Sequence, residues 1–241
     1  MIYLNKIYGE KRLKVYLFVF ILFVFLPIYI FGQNVSDFQF KEENGGITII
    51  GYDGTEKKVV IPSTINGIPV IQIGERAFSN KQLTDITLPD SIVTIQGAAF
   101  RQNLLTNIIL PNSVTDVGGA AFRNNKLTSV TLSNGLSVIK SDSFRNNQLT
   151  SVVIPAGVTI IDRGAFTDNN LSTVTFPETL TQIRNYAFSG NALSNITLPS
   201  SLTTIGEIAF RRNQLTRVVV PRSVKSLHET AFDPDVVIIR E

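Results

Sequence analysis

The chain has 241 residues, a formal net charge of +3, one histidine, and neither cysteine nor tryptophan. That length holds one domain or two short ones, and the missing cysteines exclude a disulfide framework, thiolate metal sites and a cysteine nucleophile. The first 32 residues hold four of the 22 basic side chains and one of the 19 acidic ones, so the remainder balances at 18 against 18 and, taken whole, lacks the basic excess that marks nucleic-acid binding.

Those first residues are the first predicted element. Lys6, Lys11, Arg12 and Lys14 precede VYLFVFILFVFLPIYIF (15–31), which is 17 residues without a charge, and GQNVSD follows. A positive start, an apolar run and a small residue before a polar stretch describe a secretory signal over 1–32, with cleavage after Gly32. The run also reaches the lower length limit of a membrane-spanning helix, interrupted by Pro27, so an uncleaved anchor is the alternative. Either reading puts the rest of the chain outside the cytoplasm, secreted or at the cell surface, and makes the membrane a partner only through residues 15–31.

Residues 33–61 read as a β cap. FQFKEENGGITIIGYDGTEKKVVIP (38–62) alternates between apolar and polar and offers hairpin turns at Asn44-Gly45-Gly46 and Asp53-Gly54.

From 62 to 232 the chain repeats itself. Phe78, Phe100, Phe122, Phe144, Phe166, Phe188, Phe210 and Phe232 stand 22 residues apart, and Ala precedes each except Phe144, where Ser143 stands. With Phe as position 0, position +3 is Asn103, Asn125, Asn147, Asn169, Asn191 and Asn213, with Lys81 departing in the first unit. Leu fills +5, Ile or Val fills +8, and Pro fills +11 except at Ser133, with further aliphatics at +14 and +17. Positions +8 and +10 point one way while +7 and +9 point the other, which is the period of a half-buried strand that proline then ends. The stretch over +14 to +17 is too short for a helix and suits a second short strand or a 3₁₀ turn.

No such unit buries its own apolar side, so each must stack on the next as a solenoid. The predicted fold is mostly β, with parallel strands in register about 4.8 Å apart and the Phe row inside. The Asn row is assigned to structure: an inward amide at every corner satisfies backbone groups that the turn leaves unpaired. DPDVVIIRE (233–241) reads as a capping strand opened by Pro234 and ended by charge, which deters edge-to-edge association.

The pattern AFRQNLLTNIILPNSVTDVGGAAF (99–122), repeated as AFSGNALSNITLPSSLTTIGEIAF (187–210), resembles the leucine-rich repeats of the BspA-like type, known from bacterial surface proteins and some protist ones. The resemblance covers about Val59 to Phe232, with VVIP (59–62) as the first strand and a five-residue insertion before IGERAF. It implies a right-handed leucine-rich-repeat coil with a parallel sheet on one face and short strands or 3₁₀ turns on the other. It also implies secretion or surface display, a role in adhesion to host or matrix proteins or to other cells, and no catalytic residues.

Nothing in the residues themselves argues for an enzyme. His228 lacks a nucleophile and an orienting partner, Asp233 and Asp235 fall short of a calcium loop, and no glycine-rich phosphate loop follows a strand. No cofactor or metal is expected. Asn34-Val35-Ser36 and Asn195-Ile196-Thr197 match a glycosylation acceptor, the second with Thr197 in mid-strand.

What remains is surface. The outward strand positions form one row through Asp85, Asn107, Ser129, Ser151, Thr173, Asn195 and Arg217, and a second through Thr87, Ile109, Thr131, Val153, Thr175, Thr197 and Val219. This mildly polar face is the candidate binding surface for a protein or glycan on a cell or matrix. Arg101, Arg123 and Arg145 stack at +1, with Arg211 and Arg212 near the end, as a candidate basic row for an anionic glycan or lipid. The alternative is a structural spacer or matrix component without a specific ligand. Ice binding through the Thr row is disfavoured by Ile109, Val153 and Val219.

Overall fold

A computed structural model describes residues 34–241. The signal or anchor expected over 1–32 lies outside the described residues. Within 34–241 the chain is a solenoid of stacked coils, mostly β, and its only helical piece is a 3₁₀ turn at Val35–Asp37. Asn34 caps that turn, its side chain accepting from the Ser36 N–H.

The repeats contribute a short strand at +7 to +9, such as Ser129–Thr131, in all coils but that of Asn195–Thr197, and a two-residue strand at +16 to +17, such as Val138–Ile139. Both pair in parallel with the equivalent residues one coil away: Ser129 lies opposite Asn107, and Val138 opposite Ile160. Pro111 at +11 ends the first strand, and its carbonyl accepts from the Val114 N–H to make the turn. The second flank is therefore strand rather than 3₁₀ turn.

The third flank carries the phrase that repeats most faithfully. The Phe rings stack with neighbouring centroids 5.2–5.6 Å apart and planes within 17° of parallel. Tyr52 and Phe38 continue the column into the cap, and one hydrophobic cluster runs from Phe38 to Val236. Burial raises the Tyr52 phenol above its ordinary pKa, with Asp37 and Glu56 adding to the shift.

Beside the rings the asparagines form a ladder. Asn147 donates to the Phe122 and Phe144 carbonyls, each at 3.0 Å, and accepts from the Leu127 N–H at 3.1 Å. Asn103, Asn125, Asn169, Asn191 and Asn213 repeat the arrangement.

The backbone around each Phe is not extended. Positions −2 and +2 are left-handed in successive coils, as at Ala120 (φ 57°) and Asn124 (φ 59°). The N–H groups of Ala120, Phe122 and Asn124 donate to the carbonyls of Ser141, Ser143 and Arg145 in the next coil, and the earlier and later coils do the same. Every such donor points toward the C-terminal end, so the peptide dipoles add along the stack and leave unpaired N–H groups where it stops. Asp233 sits there, its carboxylate accepting the Arg212 and Asn213 N–H groups at 3.0 and 3.2 Å.

Three departures from the repeat have local causes. Ser143, in place of Ala, donates to the Lys140 carbonyl at 2.8 Å and stays buried. Ser133, in place of Pro, compensates for Gly135 two residues on. In other coils a hydroxyl at +13, such as Thr179 or Ser201, bonds the +14 carbonyl of the coil before, and here Ser133 Oγ takes that bond to Val114 O at 2.6 Å. The five-residue insertion is a hairpin: Thr64–Ile65 and Ile68–Ile73 pair antiparallel about Asn66 and Gly67, with φ of 53° and 79°.

The cap differs from expectation in one turn. Phe38–Glu43 and Gly46–Tyr52 form the hairpin expected at Asn44-Gly45, both left-handed. No hairpin forms at Asp53-Gly54; the chain instead crosses to the other flank and enters Lys58–Val60, which pairs in parallel with Asp85–Thr87. The stronger hairpin dipeptide was Asn66-Gly67. At the other end Val237–Arg240 pairs in parallel with Arg217–Val220 as the closing strand.

Candidate binding face

The face is built by the alternation of the +7 to +9 strands. Position +8 turns inward and is buried at Ile86, Ile108 and Val152. The outward side chains Asp85, Thr87, Asn107, Ser129, Thr131, Ser151, Val153, Thr173, Thr175, Asn195, Thr197 and Arg217 are all exposed. Ile109 and Val153 protrude most among the apolar ones, at 70% and 68% exposure. The strand positions put these groups on one side, and a third row that sequence reasoning missed runs beside them. It is the hydroxyl row at +6, exposed from Thr84 through Thr216. The signal was the Thr or Ser that follows Leu in every unit.

The ladder across this face is discontinuous. Strands bond two by two: Lys58–Val60 with Asp85–Thr87, Asn107–Ile109 with Ser129–Thr131, and Ser151–Val153 with Thr173–Thr175. Asn195–Thr197 is not assigned to a regular strand, so the second glycosylation motif is not in mid-strand as expected; Asn195 and Thr197 are exposed on irregular backbone. Next to it, Phe176 is the only aromatic at +10, half-buried with its ring edge-on to Phe188 at 5.5 Å.

A shallow groove lies along two seams between bonded pairs and along a third between Thr173–Thr175 and the irregular coil of Asn195–Thr197. The first is lined by Asp85, Asp90, Asn107 and Ile109, and the last by Thr175, Glu178 and Thr197. The middle one, about 440 Å³, runs between Ser129–Thr131 and Ser151–Val153, is also lined by Asn112, Asn134 and Pro155, and has no charged residue in its lining.

The basic row is not a free cationic edge. Arg123 and Arg145 both reach the Asp142 carboxylate at 3.4 Å, Arg145 also lies 3.7 Å from Asp168, and Arg211 lies 3.9 Å from Asp233. Arg212 reaches Asp168 at 3.5 Å across an intervening coil, over Gly190, where a β-carbon would come within 2.7 Å of Asp168 Oδ1. Asp142 at −2 lies three residues before Arg145 in the same coil, whereas its pairing with Arg123 and that of Arg145 with Asp168 at +2 join neighbouring coils, 19 and 23 residues apart in sequence. Among the described residues Arg101 has no carboxylate partner, and its Nε is buried without a hydrogen bond. Nearby, Asp162 is held below its ordinary pKa: burial raises it, but hydrogen bonds from the Arg163 N–H, Ser141 and Arg184 outweigh that.

His228 is exposed and serves a local turn, its Nδ1 accepting from the Thr230 N–H at 3.2 Å. Asp233 is committed to the C-terminal end of the backbone ladder. Among the described residues no group of three or more His, Cys, Asp or Glu is placed to hold a metal ion, and no helix is long and apolar enough to cross a membrane.

Comparison with known proteins agrees with this geometry. A family model for the BspA type leucine rich repeat region matches residues 55–172 and 138–235, with six copies. A leucine-rich repeat protein from Eubacterium ventriosum ATCC 27560 superposes with a TM-score of 0.61 and 26% identity, over 76% of this chain and 52% of that one. A leucine-rich repeat protein from Bacteroides ovatus ATCC 8483 gives a TM-score of 0.55 and 19% identity, over 87% and 78%. A leucine rich cell surface protein from Faecalibacterium prausnitzii A2-165 gives 0.48 and 20%, over 87% and 94%. No curated protein matches the sequence.

Proposed function

We propose that this chain, which belongs to the BspA-type leucine-rich repeat family, is an exported, non-catalytic binding protein that works through the outward side of its +7 to +9 strands. The observation that supports this reading is a division of labour among the side chains. On the Phe flank the Asn amides, the Ser141 and Thr167 hydroxyls, and Arg123 and Arg145 bond to a neighbouring coil. On the strand face the outward Ser, Thr and Asn side chains are exposed, and solenoids bind partners through such extended surfaces. The signal-like leader over 1–32 supports export, and adhesion to a cell or matrix surface is the role that fits a surface protein without catalytic groups. The test is the triple substitution of Ser129, Ser151 and Thr173 by Lys, followed by adhesion to cells and matrix-coated surfaces. Adhesion falls while the melting temperature stays near the parent value; undiminished adhesion by the folded variant moves the site elsewhere.

A spacer or assembly role is the second reading, and the closing strand favours it. Val237 and Ile238 are exposed at 59% and 43% on a strand that, among the described residues, bonds to one neighbour. Sedimentation of the mature chain separates the readings: end-to-end oligomers support assembly, and a monomer at high concentration removes it.

A further inference from the structure

Within the proposed binding role, and resting on it, we propose that the middle seam of the strand face is a subsite for an uncharged sugar residue of a glycan chain. The seam joins Ser129–Thr131 to Ser151–Val153, where the parallel ladder is not continued, while each strand is bonded on its far side. The main-chain groups along the seam therefore face the groove rather than a neighbouring strand.

Around them the structure places three hydroxyls, Ser129, Thr131 and Ser151, and two amides, Asn112 and Asn134. Asn112 Oδ1 already accepts the Asn134 N–H at 3.1 Å, which leaves the Asn112 NH₂ as a donor. Each hydroxyl both donates and accepts. Sugar hydroxyls have the same dual capacity, so this lining is matched by a polyol.

The lining also argues against other partners. A carboxylated, sulfated or cationic ligand meets no counter-charge in this groove and loses hydration on entering it. A protein partner anchors through large aromatic or aliphatic side chains in deep apolar pockets. This groove has a volume of about 440 Å³, at the small end for ligand sites, and offers one exposed aliphatic side chain, Val153. Val153 beside Pro155 is an apolar wall against which the C–H side of a sugar ring can lie. The flanking seams follow two coils away on either side, roughly 10 Å at the spacing of parallel strands. They carry Asp85 with Asp90, and Glu178. The middle seam is thus the uncharged one, and a linear chain laid along the coils reaches its neighbours.

The experiment is a titration of the ¹⁵N-labelled exported protein with maltohexaose, cellohexaose and mannohexaose, with a heparin hexasaccharide as the charged control. At least one neutral hexasaccharide should shift the amide resonances of Val130, Thr131 and Val152 saturably, and the heparin hexasaccharide should not. The double variant Thr131→Val with Ser151→Ala should weaken that binding by about tenfold or more, as loss of two hydrogen bonds requires, with the fold retained. Thr131→Ser, which keeps the hydroxyl, should retain it. No shift with any of the three neutral hexasaccharides, or equal shifts with the charged one, overturns the proposal. If the Lys triple variant loses adhesion while no neutral hexasaccharide binds, the face meets a protein and this inference alone falls. If that variant adheres as well as the parent, the broader reading falls, whatever the titration shows.

Discussion

The Phe flank and the strand face of the same coils obey the repeat to different degrees. On the Phe flank the ring column runs unbroken from Phe78 to Phe232, and the Asn ladder from Asn103 to Asn213. On the strand face the ladder falls into pieces of two strands, and one coil has no regular strand there. The difference follows from what each group must satisfy. An Asn inside the stack serves two coils at once, so replacing it strands a donor or an acceptor in both. At +7 and +9 an outward Ser or Thr answers mainly to water, while at +6 Thr84, Thr128 and Ser172 also reach a carbonyl of the coil before. Regularity therefore marks where the coils hold each other, and irregularity marks the side chains left to solvent.

The sharpest way to break that contrast is Phe144→Ala. The ring lies between Phe122 and Phe166 with centroids 5.6 and 5.5 Å away, and the coils above and below cannot collapse into the space. A loss of about 3–5 kcal/mol is expected, read as a lower denaturation midpoint. Asn147→Ala comes next. It leaves the Leu127 N–H and the Phe122 carbonyl without their side-chain partner in a buried corner. About 1–3 kcal/mol is expected, with adhesion unchanged once the protein is folded. A melting temperature equal to the parent's would show that the ladder is only a consequence of stacking.

Much of this was legible in the sequence, because spacing alone places eight Phe and six Asn in register and the stack follows from their burial. The arginine network was only partly legible: Asp142 stands three residues from Arg145, but Arg123 meets Asp142, and Arg145 meets Asp168, only through stacking. Half of the left-handed pattern carried a signal that went unread: Asn80, Asn124, Asn146, Asp168 and Gly190 at +2 are residue types that tolerate positive φ. At −2 the signal was weaker: Asp142 and Gly164 suit that conformation, but Arg76, Ala98, Ala120, Tyr186 and Ile208 take it without favouring it. The candidate face was readable as two rows, but not the seams that divide it, which depend on hydrogen bonds that no single residue announces.

Those −2 positions allow a gain instead of a loss. Ile208 has φ 55°, and a β-branched side chain there crowds the backbone at a cost of about 1–2 kcal/mol. Ile208→Asn relieves that crowding and gives up the contacts of a half-buried side chain, so a net gain of about 0.5–1 kcal/mol and a rise of a few degrees in melting temperature are expected. The same exchange at Ile109, on the strand face and in extended backbone, should change stability by no more than about 0.5 kcal/mol. If both variants behave alike, backbone conformation is not what separates the two regions.

The smallest effect tests whether side chains outside the Phe and Asn columns also hold coils together. Asp162 accepts from Ser141 at 2.8 Å and from Arg184 at 3.2 Å, each in a neighbouring coil, and from its successor's N–H. Its pKa lies below the ordinary 3.8, because these bonds favour the charged form more strongly than burial opposes it. A carboxylate depressed in the folded state contributes stability that is fully present above its unfolded pKa and is lost as the pH falls through the folded value. The parent should therefore exceed Asp162→Asn in stability at neutral pH, and the two melting curves should converge as the pH drops below about 4. Thermal scans of both proteins at closely spaced pH values between neutrality and 2.5 check this. A difference that persists unchanged at the acid end would mean that the bonds to Ser141 and Arg184 act through shape rather than charge, and that the coils are held at this corner by packing alone.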